Sequence, residues 1–248
     1  MKNSLRRTGR LFLATAALGL LVLPACRVHN SVFRIEPVRP IADLQREALT
    51  VSPPPQSEGL RASELVDLVP LIPSARLDIR YASERNFLGT PVYPAARALL
   101  QRPAAKALAR VAEALKARGF GLLIHDAYRP WSVTWVFWQA TPADQHGFVA
   151  SPAKGSVHNR GCAIDLSLYR LADGRPVTMP SGYDEFSPRA AAAYPGGTAK
   201  QRQLRDLLRQ AMMAEGFKPI TSEWWHFDYR DSALYPVLNV PFPTPQAD

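Results

Sequence analysis

Ser156-Val157-His158-Asn159-Arg160-Gly161-Cys162-Ala163-Ile164-Asp165 is the stretch on which the fold turns. It has the form S-x-H-x-x-G-x-A-x-D and continues into Leu166, Ser167 and Leu168. From Cys162 to Leu168 it reads as a β-strand. Positions seven apart on an uninterrupted strand point to opposite faces. His158 and Asp165 therefore converge only if the chain turns between them, and Asn159-Arg160-Gly161 has the residues of a turn. Cys162 lies an odd number of places from Asp165, on the other face, and reads as a small buried residue rather than a ligand or nucleophile. A second stretch, Glu223-Trp224-Trp225-His226, has the form E-x-x-H and opens a β-like run to Tyr229. The alternation of Trp224, His226 and Asp228 puts His226 on a strand, which leaves Glu223 at a bent entrance to it.

Around these two stretches the pattern is helical. Pro103 opens a helix with Leu108, Val111 and Leu115 on one face, and Gly119 stops it. Phe120 to Ile124 reads as a buried strand. Pro130 opens a second helix whose stripe of Trp131, Trp135 and Trp138 is expected to be core. A third covers about 199–215, with Leu204, Leu207, Leu208, Ala211 and Met212 inward and Gly216 at its end. Strands and helices do not alternate strictly, which predicts an α+β fold with an antiparallel sheet rather than a doubly wound one. No internal repeat is visible.

The two stretches supply two imidazoles and two carboxylates within apolar sequence, where unpaired charge is costly. A catalytic zinc takes three protein ligands and keeps one position open, and a nearby carboxylate outside the shell can accept a proton from water. Two histidines and one aspartate fill such a shell and leave Glu223 as base, a count that fits hydrolysis. His125 and His146 lack such partners and read as structural. The chain's two cysteines build neither a disulfide framework nor a four-thiolate zinc site, so a metal falls to His, Asp or Glu.

The 248 residues, 47% apolar and 21% charged, describe a globular chain, and 14 glycines with 23 prolines exclude a collagen-like repeat. A net charge of +9 invites a polyanionic partner such as nucleic acid. Four of the cations, Lys2, Arg6, Arg7 and Arg10, precede the apolar run Leu11 to Leu23, and without them the balance falls to +5. That arrangement reads as a secretory signal over 1–25. Leu23-Pro24-Ala25-Cys26 resembles a bacterial lipobox, with Pro24 less typical of it, and points to cleavage before Cys26 and a lipid on its sulfur, with ordinary signal cleavage or an uncleaved anchor as the alternatives. Residues 26–60, with Pro37, Pro40 and Pro53 to Pro55, are expected to form a tether from a membrane, with room for a short helix over Ile41 to Leu49. The folded domain is expected over 61–242 and a tail over 243–248. No nucleic-acid partner is expected, because the remaining positive excess suits an anionic cell envelope equally well.

Ser156 to Asp165 together with Glu223 to His226 resemble the zinc signature of the D-alanyl-D-alanine dipeptidases, within the wider D,D-carboxypeptidase and hedgehog-like group of zinc peptidases. Arg80-Tyr81-Ala-Ser-Glu-Arg-Asn86-Phe87-Leu-Gly89, Asp126-Ala-Tyr128-Arg129-Pro130 and Met179-Pro-Ser-Gly-Tyr183-Asp184 resemble the dipeptidase branch in particular. The likeness spans about residues 62–242. It implies a single domain with a central antiparallel sheet flanked by helices, holding one zinc ion per chain. It implies His158, Asp165 and His226 as metal ligands, Glu223 as general base and Arg129 as the cation that steadies the oxyanion. It also implies Tyr81, Ser156 and Asp184 around the substrate, with Asp184 suited to a free ammonium. The expected substrate is a small D,D-dipeptide and the expected location the periplasm or envelope. A peptidoglycan D,D-carboxypeptidase or endopeptidase using the same zinc site, and a non-catalytic envelope-binding protein, remain as alternatives.

Overall fold

The structure, a computed structural model, describes residues 32–242. The expected signal segment, Cys26 and the tail 243–248 lie outside the described residues. The described chain runs through α1 (Ile41–Glu47), β1 (Leu65–Asp67), α2 (Leu68–Leu71), β2 (Arg76–Leu77), β3 (Leu99–Gln101), α3 (Arg102–Lys116), β4 (Phe120–Asp126) and α4 (Trp131–Ala140). It continues through β5 (Ala163–Arg170), α5 (Ala199–Ala214), β6 (Phe217–Pro219) and β7 (His226–Tyr229). β1 and β3 form a small antiparallel pair, and the other five strands form one sheet in the order β2-β4-β5-β7-β6.

This is the expected α+β arrangement. β4 to β5, β5 to β7 and β6 to β7 pair antiparallel, while the two-residue edge strand β2 joins β4 in parallel. Cross-strand partners share a face, and the register sorts the side chains sharply. Leu122 pairs with Leu168, Ile124 with Leu166 and Ile164 with Phe227, which makes one face apolar. α3 and α5 pack on each other and on this sheet, burying Leu108, Val111, Leu115, Leu204, Leu208 and Met212 in the same core. Cys162 belongs to that core and is fully buried, as expected. Burial lifts its thiol to about 12, which makes it chemically quiet.

The opposite face carries Asp165 and His226, which lie directly opposite each other. Asp126 pairs with Asp165 only because the ladder slips at His125, where two residues of β4 span one step of β5. A bulge reverses the alternation, so Asp126 joins Asp165 and His226 instead of following Ile124 into the core. Three strands thus present polar side chains at one end of the sheet.

Two expectations change. In the stretch 26–60, expected as a tether, Ile35, Ile41, Leu44 and Ala48 are buried in the domain core. α1 packs on α4, and the Ile35 and Val38 amides donate to Phe87 O and Ala140 O. The prolines confine regular structure there to the short α1 without preventing these apolar side chains from packing. In α4 the core side is Val133, Val136, Phe137 and Ala140, whereas Trp135 and Trp138 are only half-buried. Trp138 instead stacks on His146 at 3.8 Å, and His146 Nε2 lies 3.1 and 3.0 Å from the carbonyls of Trp138 and Thr141. His146 is structural, closing the end of that helix. Leu207 and Ala211 of α5 are likewise half-buried.

Candidate active site

The turn expected before Asp165 is a single 3-10 turn, Val157–Arg160. Ser156 Oγ accepts from the His158 amide, and Asn159 Oδ1 accepts from the Ser156 amide, closing its start. Gly161 ends it at φ 65°, ψ 25°, where a Cβ would stand 2.4 Å from Leu65 Cδ2. Only glycine fits both demands. The turn swings His158 over the strand end, where its Nδ1–H donates to Ala127 O at 2.6 Å. That bond fixes the tautomer and leaves Nε2 aimed inward.

His158 Nε2 lies 3.1 Å from His226 Nδ1 and 3.3 Å from Asp165 Oδ1, and His226 Nδ1 lies 3.0 Å from the same Oδ1. Ligands held at about 2.0–2.1 Å around a tetrahedral zinc stand about 3.3 Å apart. The spacing and the donor set, two imidazoles and a carboxylate, both fit such an ion. His226 Nε2–H donates to Asp228 Oδ1 at 2.8 Å, so Nδ1 is the nitrogen free to ligate. Burial pulls this imidazole's pKa down, and its bonds with Asp165 and Asp228 more than reverse that, raising it well above the usual range. The pocket thus favours a positive charge at this point, which a metal ion supplies as well as a proton does. Burial alone would raise Asp165; His158 and His226 hold it well below the usual carboxylate range.

Glu223 sits in the bend before β7, its side chain 26% exposed and Oε2 3.9 Å from His226 Nδ1. It is beside the ligands without being one of them. Burial raises its carboxyl, and Asp165 adds to this against the pull of His226, His158 and Arg129. A raised carboxylate near a metal is suited to take and return a proton.

Arg129 follows the β4 bulge and is 7% exposed. Its Nε and one terminal nitrogen donate to Asp126 Oδ2 at 2.9 and 2.8 Å, and that nitrogen reaches within 3.9 Å of Asp165 Oδ2. Asp126 Oδ1 accepts from the Tyr93 hydroxyl and the Ala127 amide. Burial pushes the Asp126 carboxyl upward, opposed by Arg129 and His158. The two guanidinium bonds on Oδ2 and the Ala127 amide on Oδ1 favour its carboxylate form.

Tyr81 and Asp184 meet at one wall of the same cavity. The Tyr81 hydroxyl donates to Asp184 Oδ2 at 2.8 Å, and Asp184 adopts φ 54°, a left-handed conformation that aspartate tolerates. Burial and the nearby Asp165 push the Asp184 carboxyl well above its ordinary range, against the Tyr81 bond. The cavity, about 290 Å³, is lined by Tyr81, Arg129, Ser156, Asp184, Glu223 and Asp228 together with the three candidate ligands. Phe87, Phe137, Phe148 and Phe186 form its apolar side.

The eight candidate site residues, Tyr81, Arg129, Ser156, His158, Asp165, Asp184, Glu223 and His226, therefore line one cavity. The structure adds Asp126, Tyr93, Tyr183 and Asp228. His125, expected as structural, stacks on Tyr183 at 4.8 Å and keeps Nδ1 within 3.4 Å of Asp78 Oδ2, behind the site. Asp228 had a signal in the sequence, its place two residues after His226 on the same strand face. Tyr183 and Asp126 stood inside the stretches that carry the family resemblance, but nothing in those stretches gave either of them a role.

The sequence profile of the Peptidase M15 family, D-ala-D-ala dipeptidase, matches residues 61–246. The D-alanyl-D-alanine dipeptidase of Escherichia coli (strain K12) is 39% identical over 176 residues, covering 71% of this chain and 90% of that protein. The D-alanyl-D-alanine dipeptidase of Enterococcus faecium is 34% identical over 194 residues, covering 70% and 94%. That of Streptomyces coelicolor is 33% identical over 185 residues, covering 65% and 89%.

Proposed function

Because the chain belongs to the Peptidase M15 family of D-ala-D-ala dipeptidases, we propose that it hydrolyses D-alanyl-D-alanine, or a closely related dipeptide, with zinc. One observation carries this reading: a three-ligand cluster and a carboxylate with no cationic partner among the described residues, Asp184, share one small cavity. His158 Nε2, His226 Nδ1 and Asp165 Oδ1 would hold the ion. Zinc in such a set supplies Lewis acidity, which makes water a better nucleophile at neutral pH and polarises a carbonyl.

The chain's own groups do the rest. Glu223 accepts the proton from the attacking water and passes it to the nitrogen as the peptide C–N bond breaks. Arg129, held in place by Asp126, offers a permanent positive charge to the carbonyl oxygen as it gains negative charge. Asp184, oriented by Tyr81, pairs with the substrate's free ammonium. A longer cell-wall stem has an amide at that place, so the pairing selects dipeptides over stems.

The test is a panel of free L,L- and D,D-dipeptides, an N-acetylated D,D-dipeptide and a muropeptide, with a chelator as control. Free D,D-dipeptides alone should be cleaved, and chelator should abolish turnover. Release of D-alanine from the muropeptide would replace this reading with a carboxypeptidase. Glu223→Gln should keep zinc while kcat falls about 10²- to 10⁴-fold, the usual worth of a general base; unchanged kcat would remove Glu223 from that role. The basic, then apolar leader and Leu23-Pro-Ala-Cys26 support a periplasmic or envelope location with a lipid on Cys26. Mass spectrometry of the membrane fraction would find or exclude the lipid.

A further inference from the structure

Tyr183 plays no part in the chemistry above, yet its ring is firmly held behind the cavity. It lies 4.8 Å from the His125 ring and 5.4 Å, edge to face, from Trp225. His125 is anchored in turn by Asp78, which accepts from Arg80 Nε at 2.8 Å and from Arg85 at 2.7 Å. The phenol is therefore delivered to a fixed point.

At that point its hydroxyl stands 2.9 Å from Asp165 Oδ2 and 3.2 Å from the Tyr81 hydroxyl. Asp165 uses its other oxygen, Oδ1, toward His158 and His226. The two carboxylate oxygens are thus divided, with Oδ1 toward the ligand cluster and Oδ2 toward Tyr183. Two phenols carry two protons for three short contacts. With both carboxylates ionised, Tyr183 donates to Asp165 and Tyr81 donates to Asp184. No proton then remains for the contact between the two phenol oxygens, so Tyr183 acts on the metal end of the cavity and Tyr81 on its ammonium end.

We propose that Tyr183 is a positioning residue: it fixes which oxygen of Asp165 ligates the metal. The inference rests on the zinc site proposed above. Partners outside the ligand shell hold a ligating carboxylate in orientation, and losing one weakens metal binding about 10- to 100-fold.

Two single-atom deletions test it. Tyr183→Phe should release zinc to a competing chromophoric chelator with an affinity about 10-fold or more below that of the unaltered protein, and kcat should recover, at least in part, in excess zinc. Tyr81→Phe leaves the Tyr183–Asp165 bond intact, so it should bind zinc normally while the KM for the dipeptide rises. The visible spectrum of the cobalt-loaded proteins gives an independent readout that only folded, loaded protein contributes. Tyr183→Phe should shift the bands and Tyr81→Phe should not. Zinc affinity within twofold of the unaltered protein, or a superimposable cobalt spectrum, overturns the proposal. Neither readout needs a substrate, so a failure of the dipeptidase reading and a failure of this one are separable.

Discussion

Replacing Asp126 with alanine asks whether a buried carboxylate holds the arginine that faces the reaction. Asp126 is fully buried and takes four hydrogen bonds: two from Arg129 at 2.8 and 2.9 Å, one from the Tyr93 hydroxyl at 2.8 Å and one from the Ala127 amide at 2.9 Å. Alanine removes all four acceptor positions and leaves a nearly buried guanidinium without its anion. Taking one partner from a buried ion pair costs about 3–5 kcal/mol. A domain of this size loses about 2–4 °C of Tm per kcal/mol, so Tm should fall by about 6–20 °C. Arg129, no longer fixed, should also contribute less to the oxyanion, and kcat should drop on the order of 10²-fold, the usual worth of one such donor. The double variant Asp126→Leu with Arg129→Met removes both charges while filling most of the volume. It should regain a large part of the lost stability and remain inactive, because the penalty lies in the unpaired charge rather than in the lost pair. Thermal unfolding and dipeptide kinetics on the three proteins decide the matter. A Tm for Asp126→Ala within about 2 °C of the unaltered chain, or a double variant no more stable than the single one, refutes the reasoning.

Asp184→Asn should raise the KM for dipeptides and stabilise the fold together. The folded carboxyl is raised above its unfolded value, so ionising it costs stability above that raised pKa, and the cost vanishes below the unfolded value of about 3.9. Asparagine tolerates the left-handed backbone here, so its advantage in urea unfolding with chelator present should be clear at pH 7–8 and fade toward pH 4. An advantage that grows as pH falls would contradict the assigned shift. Asp228→Ala removes the acceptor for His226 Nε2 and should weaken zinc binding about 10- to 100-fold in a zinc titration; unchanged affinity would leave Asp228 as a pocket surface only. Gly161→Ala meets both a positive φ and Leu65 at 2.4 Å. It should lower stability by more than about 1 kcal/mol in urea unfolding, and an equal midpoint would show that the turn before the strand is looser than its geometry implies.

The parts of this site that can be read in the sequence are those that strand parity governs. Seven places between His158 and Asp165 demand a turn, Gly161 supplies it, and three places between Glu223 and His226 demand the bend that the structure has. Asp126 escapes the same arithmetic because the β4 ladder slips at His125, and nothing in Leu123-Ile124-His125-Asp126 announces a bulge. Counted as a regular strand, Asp126 would follow Ile124 into the apolar core. Tyr183 escapes for another reason: its hydroxyl meets Asp165 across 18 residues of chain, and reach of that kind belongs to the loop's path, not to any local pattern. The stretch before residue 61 misleads through its prolines. They interrupt any long helix or central strand, but α1 still starts directly after Pro40 and Ile35, Ile41 and Leu44 find apolar partners, because burial depends on side chains that proline does not remove.

Charge shows the same separation between composition and site. The chain as a whole carries an excess of +9, yet Asp126, Asp165, Asp184, Glu223 and Asp228 gather in or behind one cavity, with Arg129 as the permanent cation among the groups that line it. A low-dielectric pocket enlarges that local imbalance, and the overall charge scarcely alters it at this range. The two cations of the proposed reaction, the zinc ion and the substrate's ammonium, each have a matching carboxylate there: Asp165 for one, Asp184 for the other. The negative charge that develops on the carbonyl has a matching guanidinium. Each carboxylate is also tied to a phenol, Asp165 to Tyr183 and Asp184 to Tyr81, so both cation sites are fixed before either cation arrives. In the proposed reading such preorganisation would favour a small substrate with a free amino terminus, since a ligand lacking the ammonium would leave the half-buried Asp184 carboxylate without a countercharge.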